Sequence, residues 1–543
     1  MMSQFRQFLK KSVENIIAHG DTDIFPFPVE NLLFKDMQTE SIDLLENVHS
    51  SFDKYLLEYP VLHEKALQAV GYHGFRYGTQ IDPLWNAYLL ALVISISDDL
   101  EKARIPTSKQ KVFSYRYSYD KDKKYLFDRS FNWSAFNQRA IELAKNKPVV
   151  LKCDISNFYP SVYHHRIENA LRKATSNTES VKRILKLLSK ISNGVSYGLP
   201  VGEPAARILS ELLLNRIDRL LLSEGIEFCR YADDYIIFTD SVEEAYGCLI
   251  YLCEKLTENE GLAIQKSKTQ IMTSSEFLSL SEFGTSKDTS EENTQADNFL
   301  KLRLFYDPYS PTADTDYDDL KEELERFDIV GMLGKEISKS RINQALTRRL
   351  INSVKYLSNY QRKAAIFSLF GQRDDTKSNL DVLYPVFPSV MLLIRSIISD
   401  LDDESRDLIF DDLRALIIEE SYITKVPINL MYAVRILAHD KSEEADFALI
   451  KAYKGQANPV ILSEIILAMA QHDSDYWISD KIKSYSSLSR WEKRALLISS
   501  YILGDEGQHW RDKIKGELPD IDTLLIQWFS QRFNKNNGWG VLL

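Results

Sequence analysis

Hydrophobic and polar positions fall into three textures along the chain. The first hundred residues have helical spacing. Met1 to Ile17 reads as an amphipathic helix, and the region closes on the apolar run Trp85 to Ile96. From about 101 to 280, short strands alternate with helices. Val149-Val150-Leu151-Lys152-Cys153 is a β-branched apolar run that ends at Asp154. Glu227 to Tyr231 and Tyr235 to Thr239 flank Ala232-Asp233-Asp234, which predicts a hairpin with a tight acidic turn. A helix is expected from Val242 to Glu260, stopped by Gly261 and followed by a strand over Leu262-Ala263-Ile264. Gly284 to Asp297 has no large apolar residue and reads as a loop, and Asp307 to Asp319 is a second soft segment, acidic and containing Pro308 and Pro311. From about 320 onward no strand is expected. Pro427, Pro459 and Ser489 open helices roughly 30 residues apart, with second helices over Glu444 to Tyr453 and Ser474 to Tyr485, a spacing that suggests stacked, HEAT-like helix pairs. These boundaries divide the chain into 1–100, 101–283, a connection over 284–320, and 321–543.

The 543 residues suggest two to four domains, and 44% apolar with 11% aromatic content is the composition of a folded chain. The longest apolar stretch in this reading, Tyr88 to Ile96, is well short of the roughly 20 residues of a membrane span, so no membrane partner is expected. No charged-then-apolar leader opens the chain, and the four cysteines have neither metal-ligand spacing nor a disulfide framework. The expectation is a reducing cytoplasm. A net charge of −11 argues at first against a nucleic-acid partner. The distribution changes that picture. Residues 101–150 carry twelve Lys/Arg against five Asp/Glu, and 400–450 carry five against thirteen. The acidic stretch reads equally as a solvated face, while the basic one lies just upstream of Asp154 and suits a phosphate-facing role.

Asp154 ends one expected strand and Asp233-Asp234 occupy a turn. If those strands are neighbours, about 5 Å apart, their carboxylates can share hard cations roughly 4 Å apart. An Asp pair in a turn is, by itself, more often a solvated turn. The surrounding residues change that. Tyr231-Ala232-Asp233-Asp234 followed by Tyr235-Ile236-Ile237-Phe238 resembles the YxDD hairpin of reverse transcriptases. Asp154-Ile155-Ser156-Asn157-Phe158-Tyr159-Pro160-Ser161-Val162 resembles that family's first palm motif. Tyr197-Gly198-Leu199-Pro200-Val201-Gly202 before a long helix resembles its nucleotide- and template-contacting motif. Gly261-Leu262-Ala263-Ile264 with Lys266-Ser267-Lys268-Thr269 resembles its fourth motif.

The resemblance implies an α+β fingers-palm domain followed by an all-α HEAT-like repeat domain. It makes Asp154, Asp233 and Asp234 ligands of Mg²⁺ (Mn²⁺ as a substitute), with Ile155 offering its backbone carbonyl. Tyr159 falls where a ring meets the sugar 2′ position and rejects ribonucleotides; a core aromatic is the alternative. Leu199, Pro200, Val201 and Gly202 floor the nucleotide pocket. Lys268 is an acid toward pyrophosphate or a plain surface lysine, and Arg116 a triphosphate contact, with Arg129 and Lys109 competing. Two departures stand out: Val201 replaces the usual Gln, and Ala206-Arg207 the usual Ser-Pro, which puts strict template use in doubt. Arg490 to Ala495 and Gly504 to Arg511 look like the tail of bacterial abortive-infection and defence-associated reverse transcriptases, with Trp510 read as a packing residue. That likeness implies antiphage defence, dNTP substrates, a single-stranded DNA product and a homo-oligomer. It raises untemplated, protein-primed synthesis, for which Tyr453, Tyr485 and Tyr501 lie in the array but read better as buried rings. Templated copying of a noncoding RNA and a catalytically silent nucleic-acid-sensing scaffold are the alternatives.

Overall fold

The computed structural model describes residues 4–282, 299, 324, 327–374, 377–536, 538–541 and 543. The expected loop Gly284 to Asp297, the soft segment Asp307 to Asp319 and nearly all of the 284–320 connection lie outside the described residues. The chain forms two compact units. The first comprises Met1–Asp23, Ile42–His63 and Ile81–Thr289; the second comprises Ile24–Ser41, Glu64–Gln80 and Ser290–Leu543.

The first unit is built on a four-stranded antiparallel sheet in the order Glu227–Tyr231, Asp234–Thr239, Val149–Asp154, Gln270–Thr273. Alternation along these strands sends Val150, Cys229, Ile236, Phe238 and Met272 into one core with Phe113, Phe136 and Ala140, against the helix Trp133–Ala144. The apolar run of the sequence is the interior of the helix Pro83–Ala103. Asp82 caps it by accepting from the Leu84 N–H, and Pro83 sits in its first turn. The helices Arg6–His19, Thr178–Ile191 and Pro204–Ser223 pack against it. All four cysteines are free thiols.

One local reading is corrected here and another refined. Leu262-Ala263-Ile264 is not a strand. It makes single bonds to the chain around Asp154 (Ser156 N–H to the Ala263 carbonyl, 2.8 Å; Gln265 N–H to the Asp154 carbonyl, 2.7 Å) and one bridge, Ile155 to Ile264, instead of a ladder. The edge strand comes later, at Gln270–Thr273. The helix from Val242 is α-helical to Lys255, and its last turn, Leu256–Glu260, widens to π geometry before Gly261 at φ +71°.

His49 illustrates the unit's interior chemistry. Its ring stacks on Phe5 at 3.8 Å, and its Nδ1 lies 3.1 Å from the Arg183 guanidinium and 3.0 Å from the Tyr88 hydroxyl. Arg183 can only donate, so Nδ1 must keep its lone pair. Burial, with the neighbouring guanidinium, drives the imidazole pKa down from 6.5 to about 4. Between those values the unfolded chain binds the proton and the folded one does not, so stability is lost as pH falls through that window. Melting at pH 6.5 and 4.5 should show a smaller drop for His49→Gln than for wild type; equal drops would remove this role.

The second unit is mainly helical. Phe387–Ile397, Pro427–Leu437, Pro459–Gln471, Arg490–Ser499 and Asp520–Asn536 pack one upon the next, while Asp403–Ile418 packs on Glu443–Gly455. Pro427 and Pro459 stand in first turns, and Ser489 forms a capping box with Glu492, as their sequence positions predict. The ion pairs Arg435–Glu464 (2.7 Å) and Arg494–Asp522 (3.0 Å) are buried. The expectation of a purely α region fails in detail. Gln372–Asp374 pairs with Lys377–Ser378, and residues 64–80 of the hairpin His63–Val70/Gly74–Ile81 also belong to this unit. The hairpin escaped the helical reading because Ala66-Leu67-Gln68-Ala69-Val70 lacks strict alternation; Gly71, at φ +69°, turns the chain. Asn379–Asp400, longer than the Tyr88 to Ile96 run, is long and apolar enough to cross a membrane, but most of it is buried inside the protein.

Candidate active site

The strand register places Asp154 directly opposite Asp234, at the end where the Glu227–Tyr231/Asp234–Thr239 hairpin turns through Ala232 and Asp233. The Ile155 N–H donates to the Asp233 carbonyl (3.2 Å), which ties the residue after Asp154 to the turn. The three carboxylates therefore gather at one sheet end, and their electrostatics record it. Burial, then the charges of Asp154 and Asp234, push the Asp233 pKa up to about 7. Burial and Asp154 raise Asp234 as well. Lys268 forms an ion pair with Asp154, which raises the ammonium above its ordinary range and keeps it charged at neutral pH.

Among the described residues, no three His, Cys, Asp or Glu side chains stand in an arrangement that by itself holds a metal ion. The donor set nevertheless fits a divalent cation. Mutually repelling carboxylates in a half-buried site, with Lys268 and Lys152 offsetting their charge only in part, are what hard cations coordinate. Asp154, Asp233 and Asp234 would hold the ion, beside the Ile155 backbone.

Tyr159 and the Leu199–Gly202 loop meet at this site. The Leu199 N–H donates to the Tyr159 carbonyl and the Gly198 N–H to that of Val162, both at 2.8 Å. Gly198 and Gly202 take φ of +101° and +119°, conformations only glycine adopts cheaply, so the loop can lie close to the chain after Asp154. Leu199 and Pro200 are buried; Val201 and Gly202 are partly open. The Tyr159 phenol, raised by burial, lies 3.5 Å from the Ser210 hydroxyl.

Arg116 is placed differently from the sequence expectation. It is 2% exposed and spends its guanidinium on Glu101 (2.9 Å) and the carbonyls of Ile105 and Val112. Each of its three nitrogens has a partner inside the protein, so burial and these bonds give it a structural role. Lys109 lies exposed in a short 3₁₀ turn. Tyr453, Tyr485 and Tyr501 are all engaged. Tyr453 donates to Glu492 (2.6 Å), Tyr485 meets Trp510 edge-on at 5.1 Å, and Tyr501 stacks under Arg511.

The sequence reading missed a buried clamp on the turn. Arg230, fully buried, donates to both oxygens of Asp218 (2.8 and 2.7 Å), to Glu211 (2.9 Å) and to the Ala232 carbonyl (2.7 Å). The Ser114 hydroxyl accepts from the Ala232 N–H (2.8 Å) and donates to Glu211 (2.6 Å), which Arg104 also holds (2.6 Å). Both backbone polar groups of Ala232 are thereby gripped, holding a non-glycine residue at φ +51° just before Asp233. The signal was present in the sequence: Arg230 within Phe228-Cys229-Arg230-Tyr231, and Glu211 and Asp218 seven apart on a leucine-rich helix, are charges where burial demands partners.

The sequence profile of the family Reverse transcriptase (RNA-dependent DNA polymerase) matches residues 97–294, a stretch that contains Asp154, Asp233 and Asp234. The chain is similar to the retron Mx65 reverse transcriptase of Myxococcus xanthus, 28% identical over 145 residues, or 23% of this chain and 33% of that protein. The match thus spans about a third of the curated relative's length. Among solved structures, the telomerase of Candida albicans in complex with a TWJ fragment of telomeric RNA aligns with TM-score 0.31 and 11% identity, over 76% of this chain and 71% of that one. Apo telomerase of Candida tropicalis aligns with TM-score 0.30 and 8% identity, over 67% and 73%.

Proposed function

We propose that this chain polymerises deoxynucleotides. The observation that carries the reading is the convergence of Asp154, Asp233 and Asp234 on one sheet end beside a glycine-flanked loop. Bound there, Mg²⁺ (or Mn²⁺) would activate the attacking hydroxyl and neutralise the departing pyrophosphate. The chain's own groups do the rest. The Leu199–Gly202 loop floors the nucleotide, the Tyr159 ring stands against the sugar 2′ position, and Lys268 Nζ gives its proton to the pyrophosphate oxygen.

The finer reading is an enzyme of bacterial antiphage defence, acting in the cytoplasm as a homo-oligomer and extending DNA without a template from a protein hydroxyl. It rests on the resemblance of the C-terminal tail, on helix pairs read as HEAT-like, and on Val201, which has no polar group to hold a template base. Templated copying of a bound noncoding RNA is the alternative. A silent sensing scaffold gains nothing from keeping three carboxylates in mutual repulsion.

Incubation of the protein with Mg²⁺ and each labelled dNTP or rNTP, with and without RNase, tests this. Growth from dNTPs alone, surviving RNase and migrating with the protein, is the expected result. Growth lost to RNase indicates an RNA template, and no growth in any lane defeats the polymerase reading. In the same assay Tyr159→Ala should admit ribonucleotides; unchanged selectivity would show that the ring does not gate the sugar.

A further inference from the structure

Tyr163 and Tyr197 are large apolar side chains turned to solvent beside the candidate active site, 47% and 51% exposed, with Val195 at 42% next to them. Both positions are fixed by backbone. The two residues form an antiparallel bridge, the His164 N–H donates to the Ser196 carbonyl (2.9 Å), and the His164 ring meets the Gly198 carbonyl at 2.8 Å. Their rings lie 6.0 Å apart. Tyr163 rests on Gly261, where an added Cβ would come within 3.0 Å of its ring. The pair is therefore held in register with the Gly198–Gly202 loop.

The charge between the two rings supplies the second observation. Residues 163–197 hold seven Lys/Arg against two Asp/Glu, in a chain whose net charge is −11. Lys182, Lys186 and Lys190 are exposed and four residues apart, so they line one face of the helix Thr178–Ile191, which runs into the loop bearing Tyr197. Arg183 is held by Tyr88 and Glu179, and Lys186 is paired with Asp53 at 2.6 Å, so the positive excess on this face is carried by Lys182 and Lys190.

We propose that Tyr163 and Tyr197 are a stacking platform for unpaired bases of single-stranded DNA, with the Lys182–Lys186–Lys190 face binding its phosphates. The choice of DNA rests on the polymerase reading above. Aromatic faces beside a cationic track are what a strand needs when it is held without sequence preference. Three apolar side chains are far too few for a stable protein interface, which takes about 20 residues a side.

The test is fluorescence anisotropy of the full chain with a labelled oligo(dT), in EDTA and without nucleotide. Tyr163→Ala/Tyr197→Ala should weaken binding about tenfold or more, while Tyr163→Phe/Tyr197→Phe binds like wild type. Lys182→Ala/Lys190→Ala should flatten the dependence of log affinity on log salt. Unchanged affinity in a normally folded Ala pair overturns the platform, as does an equal loss in the Phe pair. A changed oligomeric state with unchanged affinity makes the patch a self-contact instead and also overturns it. Because metal and nucleotide are absent, a chain that binds but never synthesises overturns the polymerase reading alone. One that synthesises while its Ala pair binds normally overturns the platform alone.

Discussion

Asp233→Asn is expected to abolish nucleotide incorporation, by a factor on the order of 10³ or more, while leaving the metal-free protein at least as stable as wild type. The two effects have one cause. Burial of the Asp233 turn, and then the charges of Asp154 and Asp234 beside it, raise its pKa to about 7. A carboxyl whose folded pKa is raised above its unfolded value of 3.8 loses stability for the protein as pH rises between the two, so at pH 8 the ionised group is a full cost. Asn removes that charge with almost no change of shape. Each kcal/mol relieved should raise the melting temperature by about 2–4 °C in EDTA. Mg²⁺ should then stabilise the wild type by mass action and the variant much less. Melting curves with and without Mg²⁺, beside the dNTP assay, check all of this. Wild-type synthesis by the variant would remove Asp233 from the chemistry, and a collapsed variant would show that the turn depends on its charge.

Local patterning made a good part of this fold legible, and its limits lie where partners are far apart in sequence. The strand into Asp154, the hairpin around Asp233-Asp234 and the helix starts at Pro427, Pro459 and Ser489 are each written within a few residues, by period, turn chemistry or cap. Arg116 shows the opposite case. Its place among basic residues suggested phosphate, but burial against Glu101 decides its role, and no window of local sequence contains that packing. Leu262 to Ile264 has strand composition yet only isolated bonds, because its neighbours are the turn residues after Asp154 and not a straight strand. The clamp on Ala232 is the clearest example: Ser114 and Glu211 are 97 residues apart, and only the folded sheet brings them to one backbone amide.

That clamp carries the second large effect. Arg230→Met should destabilise the first unit by roughly 3–5 kcal/mol, because Asp218 is left as a buried charge without its partner, whereas Glu211 retains Arg104 and Ser114. Arg230→Lys should recover little, since one ammonium cannot reach both carboxylates and the Ala232 carbonyl together. The informative variant is Arg230→Met/Asp218→Asn. It removes the stranded charge while keeping an acceptor for the Tyr235 hydroxyl, 3.1 Å from Asp218, so most of the lost stability should return. Incorporation should not return. The Ala232 carbonyl would still lack the donor that holds it at φ +51°, and Asp233, the next residue, would sample positions from which it cannot align with Asp154 and Asp234. The expected signature is a low kcat with KM for dNTP little changed, in a protein whose melting temperature approaches that of wild type. If rate recovers together with stability, the arginine is a packing device, and the geometry of the turn is secured by Ser114 alone.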